Sequence, residues 1–148
     1  MNPILSAGLL IGLLCGAWTF VMGFTGWYKD PVLGDRLFIG VAMVIEIVGL
    51  IWGLRKTAAL GRGYGGQILA GTMMAIVAGV IIIAASLLFT TVVFPNYLAD
   101  VKQASQAGAT PMAQAMSGFM GTLVTGIIAS AIIGIFIRRH GPRSAASH

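Results

Sequence analysis

Few side chains in this 148-residue chain have the chemistry of an enzyme or a metal site. The single cysteine, Cys15, lies within an apolar run, and the two histidines, His140 and His148, lie in the C-terminal tail. One thiol cannot form an internal disulfide, and one thiol with two distant imidazoles does not supply a zinc site. Paired carboxylates and a Ser/His/Asp set are also missing from the sequence. We therefore expect no catalytic residue, no metal site and no cofactor.

Glu46 is the residue best suited to carry a function. It lies in the middle of the apolar run 37–54, where a charged side chain costs about 3 kcal/mol on a membrane-insertion scale. The apolar runs contain no Lys, Arg or His, so Glu46 has no ion-pair partner there, and its neutral form is favoured. Two interpretations stay open: a proton or cation site, or a hydrogen-bonded contact between helices. The candidate hydrogen-bond partners at compatible depths are Ser86, Thr125 and Ser130.

Two further patterns resemble ligand sites only superficially. Methionines recur every four residues at 112, 116 and 120, but methionine more often fills gaps between helices than binds Cu(I). The connection 55–67 is rich in glycine, but it lacks the Gly-Lys-Ser/Thr ending of a phosphate-binding loop and any strand before it. We interpret the first pattern as packing and the second as a flexible turn.

Small residues at four-residue spacing predict the faces on which helices pack. Such faces let two backbones approach closely, and close packing is what holds helices together in lipid. The pattern does not distinguish contacts within one molecule from contacts between copies. The predicted packing residues are Gly8, Gly12 and Gly16 in the first apolar run, Gly49 and Gly53 in the second, and Gly126 and Gly134, with Ser130 between them, in the fourth.

Four apolar runs, at about 4–24, 37–54, 68–94 and 119–137, must position these residues. Each has or approaches the roughly 17–25 residues of a spanning helix, and none alternates as a barrel strand does. Only 9% of residues are charged, against roughly 25% in soluble domains. We predict an all-α integral membrane four-helix bundle forming one domain, 1–148, with a tail at 138–148. The first run lacks signal-peptide features, so we expect a retained helix.

The longest connection, between the third and fourth runs, predicts two local structures. Residues 97–107 form a candidate surface helix. Thr110 suits a helix N-cap with Pro111 at the first helical position, so we expect the fourth helix to begin near Pro111, before its apolar run.

The positive residues predict the orientation. Six lie on the side of the N-terminus and three, Lys29, Arg36 and Lys102, on the other side. Since Lys and Arg accumulate on the cytoplasmic side, both termini should be cytoplasmic, in a bacterial inner membrane. The expected partners are the lipid bilayer and either a second copy or another membrane protein; nucleic acid is not expected. The six are Arg55, Lys56, Arg62, Arg138, Arg139 and Arg143.

Three segments resemble a bacterial family catalogued as domain of unknown function 4199. They are WGLRK at 52–56, GYGGQILAG at 63–71 and FPNYL at 94–98. The resemblance extends over nearly the whole chain and implies four spans, with basic residues after the second and the fourth. It implies no activity or substrate, and it matches no family residue to Glu46.

Two functions are therefore expected from different classes. The first is a non-enzymatic membrane protein with a structural or accessory role, favoured by the small-residue faces and the lack of catalytic groups. The alternative is a small oligomeric proton- or cation-coupled transporter that uses Glu46. A membrane enzyme is the least favoured class.

Overall fold

Four long helices form the protein in a computed structural model, which describes residues 2–30, 33–102 and 110–139. They are α1 (Pro3–Thr25), α2 (Leu33–Ala59), α3 (Tyr64–Leu88) and α5 (Pro111–Arg139), and the described residues contain no strand. A π-helical turn, Phe89–Val93, continues α3, a 3-10 turn (Trp27–Lys29) follows α1, and the short helix α4 (Tyr97–Lys102) precedes α5. All four long helices are long and apolar enough to cross a membrane. The predicted all-α four-helix membrane bundle is confirmed.

Local sequence signals define the helix ends. The Asn2 side chain accepts a hydrogen bond of 3.1 Å from the Ile4 amide, with Pro3 at the first helical position. Gly26 ends α1 in the left-handed conformation at φ 71°, which glycine adopts without steric cost. Thr110 Oγ1 accepts from the Ala113 amide at 3.1 Å, and α5 begins at Pro111 as predicted. Helix α4 covers the start of the predicted surface helix, and 103–109 lie outside the described residues.

Helices α1, α2 and α5 extend beyond their apolar runs at both ends, and α3 does so at its start. Helix α2 begins four residues before its run and continues to Ala59, past Arg55 and Lys56. Hydropathy marks the part of a helix in hydrocarbon, whereas the helical hydrogen bonds continue into the head-group region. The apolar runs therefore located each span, but the run alone was shorter than the helix for α1, α2 and α5.

Helix α3 is the central element of the bundle. It packs on α1 and α5, α2 packs on α1 and α5 from the other side, and α2 and α3 also touch. Consecutive long helices alternate in direction, so the start of α1, the α2–α3 connection and the end of α5 lie at one end. The interior is filled by large side chains such as Ile11, Leu50 and Met74 beside small ones such as Ala70. The outer surface is apolar, as a lipid-facing surface must be.

Candidate functional site

Glu46 faces the interior of the bundle and is only 6% exposed. Its Oε2 lies 2.7 Å from the Thr125 hydroxyl oxygen, which joins α2 to α5 in the middle of the bundle. The same hydroxyl lies 2.8 Å from the Gly121 carbonyl oxygen. A hydroxyl has one hydrogen. Both contacts are satisfied together when the Glu46 carboxyl donates its proton to Thr125 and Thr125 donates to Gly121.

The second carboxyl oxygen, Glu46 Oε1, is buried and has no hydrogen-bond partner among the described residues. It lies against α5 at Gly126, where an added Cβ would be 3.2 Å from Oε1. The same Cβ would be only 2.6 Å from the Ala75 Cβ of α3. The missing side chain at position 126 therefore makes room for the Glu46 carboxyl at the meeting point of α2, α3 and α5.

The three candidate partners of Glu46 have different positions. Thr125 lies beside it, as described above. Ser130 is fully buried, but its hydroxyl donates to the Ile127 carbonyl at 3.0 Å. The Ser86 carbonyl accepts from Thr90 at 2.8 Å. Neither serine has a hydrogen bond to Glu46 in the described part of the chain.

The glycine face of α1 packs against α3 of the same molecule. A Cβ added at Gly8 would lie 2.7 Å from Val77 Cβ, and one added at Gly12 would lie 2.8 Å from Ile81 Cβ. At Gly16 the nearest atom, the Cβ of an α3 alanine, is 3.1 Å away. Since both helices advance by four residues between contacts, the face is a continuous contact between two parallel helices.

The other two predicted faces are also used within the molecule. In α2, a Cβ at Gly49 would meet the Ile11 side chain, and one at Gly53 would lie 2.6 Å from the Ala7 Cβ, so both face α1. In α5, Gly126 faces α3, and a Cβ at Gly134 would lie 3.3 Å from the Tyr64 ring. Each of these glycines thus lies against another helix of the same chain.

A second buried polar contact, between Thr57 and Gln67, joins α2 to α3 and was not anticipated. Thr57 is fully buried and Gln67 is 3% exposed. In the amide orientation that satisfies its neighbours, Gln67 donates to Thr57 Oγ1 at 2.7 Å and to the Leu54 carbonyl at 3.2 Å, and accepts from the Ala58 amide at 2.9 Å. Gln67 looked like the end of a connection in the sequence, because it follows a glycine-rich turn.

An aromatic and ionic cluster closes the opposite end of the bundle. Phe89, in the π-helical turn, has its ring centroid 4.8 Å from that of Phe94 and 5.0 Å from that of Tyr97. The Tyr28 hydroxyl donates to Asp100 at 3.1 Å, and Lys29 Nζ lies 3.7 Å from the same carboxylate. Partial burial, followed by the hydrogen bond to Asp100, raises the pKa of Tyr28. The cluster fixes α4 to the end of α1.

Comparison with known proteins identifies a family. A family model described as "Protein of unknown function (DUF4199)" matches residues 6–139. The chain belongs to this family, which confirms the resemblance found in the sequence. The match extends through all four long helices. No curated protein and no solved structure matches the chain.

Proposed function

We propose that this DUF4199 member is a non-enzymatic integral membrane protein with a structural or accessory role, in which Glu46 is a contact between helices. The observation that carries the proposal is the position of Glu46. Its carboxyl group is enclosed by three helices, bonded to Thr125 and seated against Gly126. A carboxyl group packed in this way stabilises one arrangement of the bundle.

Other polar groups inside the bundle support the same role. Gln67 joins α3 to α2 through Thr57, and the Tyr64 hydroxyl donates to the Ala131 carbonyl of α5 at 3.3 Å. Each of these side chains connects two helices. In lipid, such bonds contribute on average only about 0.6 kcal/mol each, but they are directional and so select one packing among several.

The proposed partners are the bilayer and a second copy or another membrane protein. The glycine faces already pack inside the molecule, so a protein partner would bind the remaining apolar surface. We place both termini in the cytoplasm of a bacterial inner membrane, because six of the nine positive residues are assigned to that end.

A second candidate function, proton- or cation-coupled transport, is favoured by one observation. An ionised Glu46 would accept from Thr125 at Oε2, and Oε1, which is buried without a hydrogen-bond partner among the described residues, would be the oxygen that binds a proton or a cation. Intramembrane acids with an unoccupied oxygen are candidates for such binding.

Proteoliposomes test the two functions against each other. The wild type, Glu46→Gln and Thr125→Val would be reconstituted with a pH-sensitive dye inside, and an inward proton gradient applied. The structural role predicts the same proton flux for all three proteins and for protein-free vesicles. A flux present in the wild type and lost in Glu46→Gln, with the helical circular dichroism unchanged, would instead establish transport. Glutamine is the matched variant, because its amide can still donate to Thr125.

Cysteine labelling tests the orientation. On a Cys15→Ala background, single cysteines at Arg62 and Lys29 would be exposed to an impermeant maleimide in intact spheroplasts. Cytoplasmic termini predict labelling at position 29 and protection at position 62 until the membrane is opened. The reverse pattern would refute the proposed orientation.

A further inference from the structure

A groove lies on the outer face of α2, at the end where this helix leaves the apolar region. Its volume is about 510 Å³, and its described walls all belong to α2. Each wall residue has another wall residue three or four positions away along the chain, which is the spacing of one helix face. The residues are Val48, Ile51, Trp52, Arg55, Lys56 and Ala59.

The groove changes from apolar to cationic along its length. Val48 is 61% exposed and lies at the deep end, whereas Arg55 lies seven residues further on, about 10 Å away at 1.5 Å per residue. Trp52 lies between them, where an amphipathic ring prefers the boundary of hydrocarbon and water. The Lys56 ammonium nitrogen is 3.8 Å from the centroid of the Trp52 ring. This order of side chains matches a lipid molecule whose acyl chain lies at the apolar end of the groove and whose head group lies at the cationic end.

Within the described residues, no acidic side chain forms an ion pair with Arg55 or Lys56. The sequence has no Asp or Glu between Glu46 and Asp100. Glu46 is buried on the opposite side of α2, since residues 46 and 55 are separated by two and a half turns. The ion pair recorded among the described residues, Lys29 with Asp100, is at the other end of the bundle. The Arg55 guanidinium therefore has donors for an external anion, and it can bind a phosphate with two parallel hydrogen bonds.

We propose that this groove binds an anionic glycerophospholipid of the adjacent leaflet. Its phosphate would lie at Arg55 and Lys56, and the upper part of one acyl chain along Val48 and Ile51. The two positive charges favour an anionic lipid over a zwitterionic one, because choline would bring a third positive charge to the same place. The site depends neither on the proposed role of Glu46 nor on the side of the membrane.

Quenching of Trp52 tests the site directly. In the variant Trp18→Phe/Trp27→Phe, Trp52 is the remaining tryptophan. This protein would be reconstituted in phosphatidylcholine vesicles containing a small fraction of either phosphatidylglycerol or phosphatidylcholine brominated near the head group. We expect stronger quenching by brominated phosphatidylglycerol than by brominated phosphatidylcholine. Each of the two cations, Arg55 and Lys56, should favour binding of phosphatidylglycerol over phosphatidylcholine by about fivefold. An excess of unbrominated phosphatidylglycerol, but not of phosphatidylcholine, should restore the fluorescence.

Matched charge variants locate the preference. In Arg55→Gln/Lys56→Gln, the two brominated lipids should quench Trp52 equally. The control Lys29→Gln/Arg36→Gln removes two charges at the other end of the bundle, and its Trp52 should still be quenched more strongly by brominated phosphatidylglycerol. Quenching would be normalised to unbrominated vesicles, because Lys56 contacts the Trp52 ring. Equal quenching by the two lipids in the parent protein, or a preference that survives removal of Arg55 and Lys56, would overturn the site. The competition by unbrominated lipid uses the unaltered groove, so it decides the question even if the charge variant fails to fold.

Discussion

Replacing Gly12 by alanine should destabilise the bundle, because this position lies in the middle of the close contact between α1 and α3. The added Cβ would lie 2.8 Å from the Ile81 Cβ and 2.9 Å from the Ala78 carbonyl oxygen. Carbon atoms pack favourably at about 3.5–4.0 Å, so the helices must separate locally by roughly 1 Å. A change of rotamer cannot relieve this contact, because one obstacle is a Cβ and the other is backbone. Overpacking of this kind costs about 1–3 kcal/mol.

Gly121 supplies the matched control. It lies within α5, and an added Cβ there would meet nothing within 4 Å. The change Gly121→Ala removes the same backbone freedom from a helix without a clash. It should therefore leave stability unchanged or raise it by about 0.5–1 kcal/mol. The two variants have the same composition, so any difference in propensity cancels between them.

Unfolding in mixed micelles measures the difference. Dodecylmaltoside-solubilised protein would be titrated with dodecyl sulfate and followed by near-ultraviolet circular dichroism of the tryptophans, with both variants at one protein concentration. We expect the midpoint of Gly12→Ala to fall below the wild type and that of Gly121→Ala to equal or exceed it. Equal midpoints for the two variants would refute the assignment of the glycine face of α1 to an internal contact.

Three further predictions address other parts of the chain. Gln67→Leu should lower stability by about 1–3 kcal/mol, since it leaves buried Thr57 without its amide partner; Thr57→Val should recover part of this loss in a double-mutant unfolding cycle. The Tyr28 pKa is raised, so its neutral form stabilises the fold below the ordinary tyrosine pKa, and this contribution is lost as pH rises through the raised value. In an ultraviolet titration, the tyrosine transition that is missing from Tyr28→Phe belongs to Tyr28. Asp100→Asn should lower the pKa of that transition. Cys15 is 8% exposed, so aqueous maleimide should label it only after denaturation, as mass spectrometry would show.

The number and type of helices could be predicted from the sequence because hydrophobic length is a strong constraint in a bilayer. Thr110 and Pro111 also gave the start of α5, since an N-cap and a proline are local signals. The end of α2 was predicted too early, because Arg55 and Lys56 end the apolar run without ending the helix. Charge marks the membrane boundary, and the backbone hydrogen bonds continue beyond it.

The partners of buried polar groups could be predicted only in part. Depth in the membrane made Ser86, Thr125 and Ser130 equally suitable as hydrogen-bond partners of Glu46. The rotation of each helix about its axis decides which of them faces Glu46. That rotation results from close packing, such as Gly126 against Ala75, which turns Thr125 toward α2. The Thr57–Gln67 contact could not be predicted for a related reason, because residues at the end of a hydrophobic run give no periodic signal.

The glycines at the helix contacts and the polar side chains inside the bundle have the same physical role. Apolar side chains gain little by leaving lipid for another apolar surface, so close backbone contact and hydrogen bonds must specify the arrangement. The glycine faces bring α3 near both α1 and α5, and this proximity encloses Glu46 at the junction with α2. A substitution that separates α3 from α5 should therefore also expose the Glu46 carboxyl, even though it changes no polar residue. Gly126 is the position where the two effects coincide, because its added Cβ would press on Ala75 and on Glu46 Oε1 together.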